Sequence, residues 1–131
     1  MELQVMILDD EYIILDGLCS FPWSDYGYRI SATARNGLEG LEKLEQAKPD
    51  LILTDVKMPG MDGTEVLDKL VKDGEEAAVV MMSGHSDIDT AVECIKKGAF
   101  DFIQKPLDLN RILITIRNAT ERTQIVAENK S

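Results

Sequence analysis

The chain has 131 residues, which suits one domain and is too short for two domains of ordinary size. It carries 24 acidic and 14 basic residues, and the resulting formal charge of −10 would repel nucleic-acid phosphates, so we expect no direct nucleic-acid binding by this segment. It shows neither an apolar stretch of about 18 residues nor a signal-peptide pattern, which predicts a soluble, cytoplasmic protein without a membrane segment.

The first predicted elements are a strand at Leu3–Leu8 and a helix at about Glu11–Cys19. The strand is continuously apolar, as is typical of a central parallel strand covered on both faces. The helix places Ile14 and Leu18 on one side, and the segment Ser20–Gly27 follows it as a loop.

A second strand and helix follow. The segment Arg29–Ala34 alternates polar and apolar side chains, which predicts an edge of the sheet. Asn36 is placed to cap a helix that carries Leu38, Leu41 and Leu44 at helical spacing.

The third and fourth units each pair an apolar strand with a helix. The strand Leu51–Leu53 precedes a helix that begins at Asp62, with Glu65 three residues on. The strand Ala78–Met82 precedes a helix for which Ser86 is the predicted N-cap. The apolar stripe of this fourth helix is Ile88, Ala91, Val92 and Ile95, and Gly98 beyond it predicts a left-handed C-cap.

The fifth unit consists of a short mixed strand at Asp101–Gln104, predicted as the other edge, and a helix that begins at Asp108. Strand and helix thus alternate five times, which predicts an α/β domain with a parallel sheet and helices on both faces. Residues 1–122 are predicted to form the domain, and residues 123–131 a helical extension or the start of a linker. Cys19 and Cys94 lack metal or redox spacing and are expected to be reduced thiols in or near the core.

The most informative residues directly follow the strands. Asp9 and Asp10 come after the first strand and Asp55 after the third. Open α/β sheets bind ligands beyond the carboxyl ends of their strands, and the order 2-1-3-4-5 known for such sheets would make the first and third strands neighbours. Two like charges 4 Å apart repel by about 4 kcal/mol at an effective dielectric near 20, so clustered carboxylates need a countercharge.

Mg²⁺ is the natural countercharge because it prefers oxygen ligands and keeps positions open for phosphoryl oxygens. An aspartate there could attack a phosphoryl group as a nucleophile, with Lys105 and the Ser83 hydroxyl helping to neutralise the moving charge. Each acidic residue taken alone is more simply explained as a helix cap or turn former. The acidic residues taken together favour a site for Mg²⁺ and a phosphoryl group.

These residues resemble motifs of the bacterial response-regulator receiver family. The motifs are Asp9-Asp10-Glu11, Leu53–Gly63, Met82–His85 and Gln104-Lys105-Pro106, and the resemblance covers about Leu3 to Arg122. It implies a flavodoxin-like, doubly wound (βα)5 fold with strand order 2-1-3-4-5. It also implies a cis bond before Pro106, which the sequence does not decide.

The resemblance implies the roles of the site residues. Asp55 is the expected phosphoacceptor, and Ser83 and Lys105 are the expected phosphoryl ligands. Mg²⁺ is expected to bind Asp9, Asp10, Asp55 and the backbone carbonyl of Lys57. Phe102 stands at the family's aromatic switch position, with Ser83 as its partner. His85 beside the site is expected to be a solvated bystander more often than a general base.

The same resemblance implies a partner sensor histidine kinase and a role as phosphoacceptor, not as an enzyme acting on other substrates. Phosphorylation would switch the face formed by the fourth helix, fifth strand and fifth helix, which is also a possible homodimer surface. The segment Phe21–Tyr28 resembles receivers joined to AraC-type DNA-binding domains, whereas Ser83–Asp87 and Lys97–Phe102 resemble those of NtrC-type activators. Trp23 is expected to pack on the helix that it follows.

Neither output module is present in the sequence, so two alternatives stay open. The chain is either a stand-alone regulator that acts by protein–protein interaction, or a receiver whose output domain, most simply a transcription regulator, has been cut away. An aspartate-nucleophile phosphatase is a third alternative, but such enzymes need a second aspartate where this chain has Lys57. A flavodoxin-like FMN binder would need a phosphate loop where Asp9-Asp10-Glu11 stands.

Overall fold

The computed structural model describes the backbone of residues 2–130 and the side chains of residues 2–121. Strands and helices alternate along the chain, with two short 3-10 helices at Trp23–Tyr26 and His85–Asp87. The main elements are β1 (Leu3–Leu8), α1 (Tyr12–Cys19), β2 (Tyr28–Ala34), α2 (Gly37–Ala47), β3 (Leu51–Asp55), α3 (Gly63–Lys72), β4 (Ala78–Ser83), α4 (Ile88–Lys97), β5 (Asp101–Gln104) and α5 (Leu109–Lys130).

The five strands form one parallel sheet in the order β2-β1-β3-β4-β5, which confirms the expected fold class and strand order. The two strands predicted as edges, β2 and β5, are the edges. In the register of the sheet, Leu8 lies beside Thr54 and Asp55 lies beside Met82. The carboxyl ends of β1 and β3 are therefore adjacent, which brings the residues that follow them to one place.

The core has two halves, one on each face of the sheet, as expected for a doubly wound fold. One half joins Met6, Ile52 and Met81 of the strands to side chains of α2, α3 and α4, such as Leu67. The other joins inward residues of the strands to α1 and α5, with Ile116 completely buried. Along each central strand, successive side chains enter opposite halves, so these strands are apolar throughout.

Three of the predicted helix starts are confirmed by their hydrogen bonds. At the start of α5, Asp108 Oδ1 accepts from the Asn110 N–H at 3.0 Å. Asn36 Oδ1 accepts from the Glu39 N–H at 2.8 Å. Asp62 Oδ1 accepts from the Glu65 N–H at 3.0 Å, and the Glu65 carboxylate accepts in return from the Asp62 N–H. These two residues form a capping box, which satisfies donors that the first turn of α3 leaves unpaired.

The fourth helix start was predicted one residue too early. Ser86 lies inside the 3-10 helix His85–Asp87, where the Asp87 N–H donates to the Gly84 carbonyl at 3.0 Å, and α4 begins only at Ile88. Ser86 is therefore not the N-cap of α4. Gly98 after this helix has a positive φ of 130°, which favours glycine, but it lies outside the left-handed helical region.

The expectation for the two cysteines is right for Cys94, which is fully buried, and wrong for Cys19, which is exposed. Helix α1 directs Leu15 and Leu18 into the core, and the next residue along a helix points about 100° away from Leu18. Both cysteines are free thiols.

The segment after α1 is an ordered turn and not only a loop. Trp23 is buried, and its Nε1 donates to the Leu18 carbonyl at 2.7 Å, which confirms that it packs on the preceding helix. Its ring meets those of Phe21 and Tyr28 edge to face, with centroids 5.2 and 6.3 Å away. The Tyr28 hydroxyl lies 3.3 Å from the Thr120 hydroxyl, which ties this cluster to α5.

Helix α5 continues as backbone through Lys130, so residues 123–130 are helical, and Ser131 lies outside the described residues. The boundary at residue 122 stays a prediction. Among the described residues, no helix combines the length and the apolar character needed to cross a bilayer.

Candidate functional site

A cleft of about 360 Å³ opens at the carboxyl ends of the central strands. Its walls come from the segments that follow β1, β3, β4 and β5, as the strand order requires. The residues that line it are Asp10, Glu11, Asp55, Lys57, Gly84, Asp87 and Lys105. Four of the predicted site residues, Asp10, Asp55, Lys57 and Lys105, thus face one shared space.

Two buried carboxylates form the floor of the site. Asp9 is completely buried directly after β1, and Asp55, at the last position of β3, is only 6% exposed. Asp9 Oδ1 accepts from the Glu11 N–H at 2.9 Å, so the turn into α1 holds the Asp9 side chain in place. Buried carboxylates are rare without a countercharge, so a cation must lie close by.

Lys105 supplies that cation from the turn after β5. Its Nζ lies 3.0 Å from Asp9 Oδ2, 3.1 Å from Glu11 Oε1 and 3.3 Å from Asp55 Oδ2. The backbone N–H of Lys105 donates to the Ser83 carbonyl at 2.8 Å, and the bond between Lys105 and Pro106 is cis. The ammonium group therefore bridges the ends of β1 and β3 from a position fixed by β4 and β5.

The charges of this cluster shift two pKa values. Burial raises the pKa of Asp55 to about 6, and the negative charge of Asp9 adds to this rise, while Lys105 opposes it. Burial alone would lower the pKa of Lys105, but its hydrogen bond to Asp9 and the charges of Asp55 and Asp9 outweigh burial and raise it. Lys105 is therefore a permanent cation, whereas Asp55 is an unusually basic carboxylate.

The start of α3 packs closely against the backbone at the end of β3. The Gly63 N–H donates to the Val56 carbonyl at 3.0 Å. A β-carbon on Gly63 would overlap the carbonyl oxygen of Asp55, so only glycine lets the helix approach this closely. The start of α3 therefore lies directly against the backbone of Asp55.

The structure does not bring Ser83 and Phe102 into the cleft in the way that it brings Asp55 and Lys105. Ser83 is buried at the end of β4, and its hydroxyl donates to the Gly84 carbonyl at 2.9 Å. Phe102 is half-buried and packs against the core half that contains α4. Their roles as phosphoryl ligand and switch stay predictions. His85 is exposed.

The predicted magnesium ligands are brought together only in part. Oxygens of Asp9, Glu11 and Asp55 lie within 4.8 Å of one another, which is a set of hard oxygen donors of the kind that Mg²⁺ prefers. Asp10 lies in the wall of the cleft, and its own carbonyl accepts from Arg35 at 3.1 Å. Lys57 also lines the cleft. The role of its backbone carbonyl as a Mg²⁺ ligand stays a prediction.

Two acidic residues of the cleft were not predicted to belong to the site. Glu11 bonds to Lys105, and Asp87 stands in the wall of the cleft. In the sequence, Glu11 stands out only as part of the Asp9-Asp10-Glu11 motif, and Asp87 only as the end of the segment Ser83–Asp87 that resembles NtrC-type receivers. The run of three acidic residues was the available signal for Glu11, because Glu11 raises the number of carboxylates that Lys105 contacts from two to three.

Comparisons with known proteins agree with this geometry. A family model for the response regulator receiver domain matches residues 5–117. The nitrogen assimilation regulatory protein NtrX of Azorhizobium caulinodans is 38% identical over 126 residues, which are 95% of this chain and 27% of that protein. The chemotaxis protein CheY of Listeria monocytogenes is 34% identical over 119 residues, which are 91% of this chain and 99% of that protein.

A solved structure shows the same fold. The response regulator receiver domain protein from Clostridium thermocellum superposes with a TM-score of 0.86 and 31% identity, covering 95% of this chain and 98% of that one. The chain spans only 27% to 33% of the length of several transcriptional regulators that it matches. What those longer proteins do as a whole lies beyond the part that they share with this chain.

Proposed function

Because this chain belongs to the response regulator receiver domain family of two-component signal transduction, we propose that Asp55 is the residue that accepts its phosphoryl group. The observation that carries the proposal is the Lys105 ammonium, which contacts the carboxylates of Asp55 and Asp9 at once. A nucleophile thus lies in an open cleft beside a fixed cation. This arrangement suits a reaction that attaches a negatively charged phosphoryl group to the nucleophile.

The proposed reaction is a phosphoryl transfer from a histidine of a sensor kinase. A carboxylate oxygen of Asp55 forms a bond to phosphorus while the bond from phosphorus to the imidazole nitrogen breaks, and the imidazole keeps the electron pair. The product is an acyl phosphate on Asp55. With a pKa of about 6, Asp55 is mostly ionised at pH 7 and so is ready to act as the nucleophile.

The residues around Asp55 would divide the remaining work. Lys105 neutralises the phosphoryl oxygens, and Ser83 reaches them once its hydroxyl leaves the Gly84 carbonyl. Asp9, Asp10, Asp55 and the Lys57 carbonyl would hold Mg²⁺. The bound cation supplies charge neutralisation to the phosphoryl oxygens.

The signal would leave the site through the face formed by α4, β5 and α5. Two apolar side chains on α4, Val92 and Ile95, are 40% and 37% exposed although they continue the stripe of a core-facing helix. Phe102 on β5 is also only half-buried. We propose that this face binds an output module or a second copy of the chain, and that the protein acts in the cytoplasm. The conformation of the face would change when Ser83 and Phe102 move.

The test uses a small phosphodonor in place of the kinase. With acetyl phosphate and Mg²⁺, the intact mass of the protein should rise by one phosphoryl group, and the Asp55→Asn variant should show no rise. Asp68→Asn on α3 is the matched control, because it removes an exposed charge that does not line the cleft, and this variant should be phosphorylated normally. Phosphorylation of the Asp55→Asn variant at the wild-type level would move the acceptor to another residue.

Repeated turnover of a phosphate ester would distinguish an aspartate-nucleophile phosphatase from a phosphoacceptor. Position 57, where such an enzyme has its second aspartate, is an exposed lysine, so no carboxylate stands there to protonate a leaving group. We therefore propose stoichiometric self-phosphorylation and slow self-dephosphorylation, without turnover of phosphate esters. Rapid, repeated hydrolysis of p-nitrophenyl phosphate that depends on Asp55 would favour the phosphatase instead.

A further inference from the structure

The ammonium group of Lys105 has no free donor. It carries three N–H bonds, and it has three carboxylate partners: Asp9 at 3.0 Å, Glu11 at 3.1 Å and Asp55 at 3.3 Å. A phosphoryl group on Asp55 brings new oxygen acceptors into the same space. Lys105 can donate fully to them only if one of its present partners is released.

The three partners differ in what their release would cost. The Asp9 side chain is completely buried, so its release would leave a poorly solvated charge. The Asp55 side chain, which is only 8% exposed, becomes an acyl phosphate and stays beside Lys105, so it yields only the one donor that its own oxygen accepted. The Glu11 side chain is 59% exposed, and water can take over the hydrogen bond that it loses. Glu11 is therefore the partner that Lys105 can leave most easily.

The helix start shows independently that the Glu11 side chain serves Lys105. Glu11 occupies the N-cap position of α1, and its carbonyl accepts from the N–H groups of Ile14 and Leu15. Its carboxylate does not accept from the helix N–H groups as capping side chains do. The backbone of Glu11 is thus fixed by the helix, while its side chain extends to Lys105.

We infer that Glu11 is a positioning residue that holds Lys105 in the unphosphorylated domain and competes with the phosphoryl group for it. The inference rests on the proposed function of Asp55 and concerns how strongly the site binds its anion. Removal of the competitor should tighten the binding of a phosphoryl mimic, and it should leave Mg²⁺ binding unchanged. A metal-ligand role for Glu11 predicts the opposite, namely weaker Mg²⁺ binding.

Two variants separate the hydrogen bond from the charge. Glu11→Gln removes the charge and weakens the bond to Lys105. Glu11→Asp keeps the charge, but its side chain is shorter by one methylene, and aspartate at an N-cap turns its carboxylate to the helix N–H groups. Glu42→Gln is the matched control, because Glu42 is an exposed glutamate of α2 outside the cleft.

The experiment titrates beryllofluoride into each protein at saturating Mg²⁺, followed by amide NMR, and titrates Mg²⁺ alone by calorimetry. Since exposed ion pairs contribute little, beryllofluoride should bind about two- to fivefold more tightly to both Glu11 variants than to the wild type and to Glu42→Gln. The affinity for Mg²⁺ should be equal in all four proteins.

The other outcomes overturn either this inference or the proposed function. If only Glu11→Gln binds beryllofluoride more tightly, charge repulsion and not competition for Lys105 explains the effect, and the inference is wrong. Unchanged affinity in both variants, or weaker Mg²⁺ binding, also refutes it. If the wild type and Glu42→Gln do not bind beryllofluoride at all, the proposed function of the site fails first.

Discussion

The substitution Asp55→Asn should stabilise the domain in the absence of Mg²⁺. In the folded protein, burial and the nearby charge of Asp9 raise the pKa of Asp55 from 3.8 to about 6. The folded state therefore keeps its proton on Asp55 at a pH at which the unfolded chain has lost it. Asparagine resembles the protonated side chain and carries no charge at any pH, so it avoids the cost of ionising this position.

The size and the sign of the effect follow from this shift. Each pKa unit corresponds to about 1.4 kcal/mol, so a shift of roughly two units gives a stabilisation of up to about 3 kcal/mol above pH 6. As the pH rises from 3.8 to 6, the unfolded state binds fewer protons than the folded state, so the wild type loses stability over that window. The gain from Asp55→Asn should accordingly fall to about 1 kcal/mol at pH 4.5.

The assay is urea unfolding at pH 7.5 and at pH 4.5 in the presence of a chelator. The single tryptophan, Trp23, is buried, so its fluorescence reports the loss of the fold. Asp68→Asn provides the control, and it should change the free energy of unfolding by less than about 0.5 kcal/mol because its ion pair is exposed. A variant that is less stable than the wild type at pH 7.5, or a gain that does not depend on pH, would refute the reasoning.

Three further predictions concern the metal, the cleft floor and the aromatic cluster. Mg²⁺ at a hundred times its dissociation constant should stabilise the wild type by about 2.7 kcal/mol and Asp55→Asn by less; a melting temperature indifferent to Mg²⁺ would contradict the carboxylate site. Gly63→Ala should destabilise the domain by about 1–3 kcal/mol in urea unfolding and slow phosphorylation by acetyl phosphate, because the new methyl group overlaps the Asp55 carbonyl. Gly17→Ala, in the open part of α1, should instead stabilise by about 0.5–1 kcal/mol, and equal effects of the two substitutions would argue against the overlap. Tyr28→Phe should cost about 0.5–1.5 kcal/mol through loss of its hydrogen bond to α5, and a cost of zero would show that the bond does not contribute.

The fold was predictable because its signals are local and agree with one another. The apolar strands, the caps at Asn36 and Asp62 and the polar edge strands each depend on near neighbours in the chain. The strand order was different, since it came from resemblance to a known family and not from spacing. The start of α4 was misplaced because Ser86 and Asp87 both have side chains that suit a helix start, and only the bond from Asp87 to Gly84 decides between them.

The site was predictable to the level of which strand ends meet, and not to the level of which atoms touch. Asp9 and Asp55 were placed correctly because a parallel sheet brings the ends of neighbouring strands together. The Glu11 contact depends instead on the direction of a side chain at a helix start, relative to a lysine that follows a strand three positions away in the sheet. No pattern within one segment encodes such a contact.

This difference also explains why the cleft is both stable and ready to change. The contacts that the strand order imposes, from Lys105 to Asp9 and Asp55, join buried groups and are costly to break. The contact that only tertiary structure reveals, from Lys105 to Glu11, lies at the surface and is cheap to break. A phosphoryl group that enters the cleft therefore meets a lysine whose position is fixed by two partners and whose third hydrogen bond can be exchanged. Lys105 can thus bind the phosphoryl group while the buried part of the site keeps its structure.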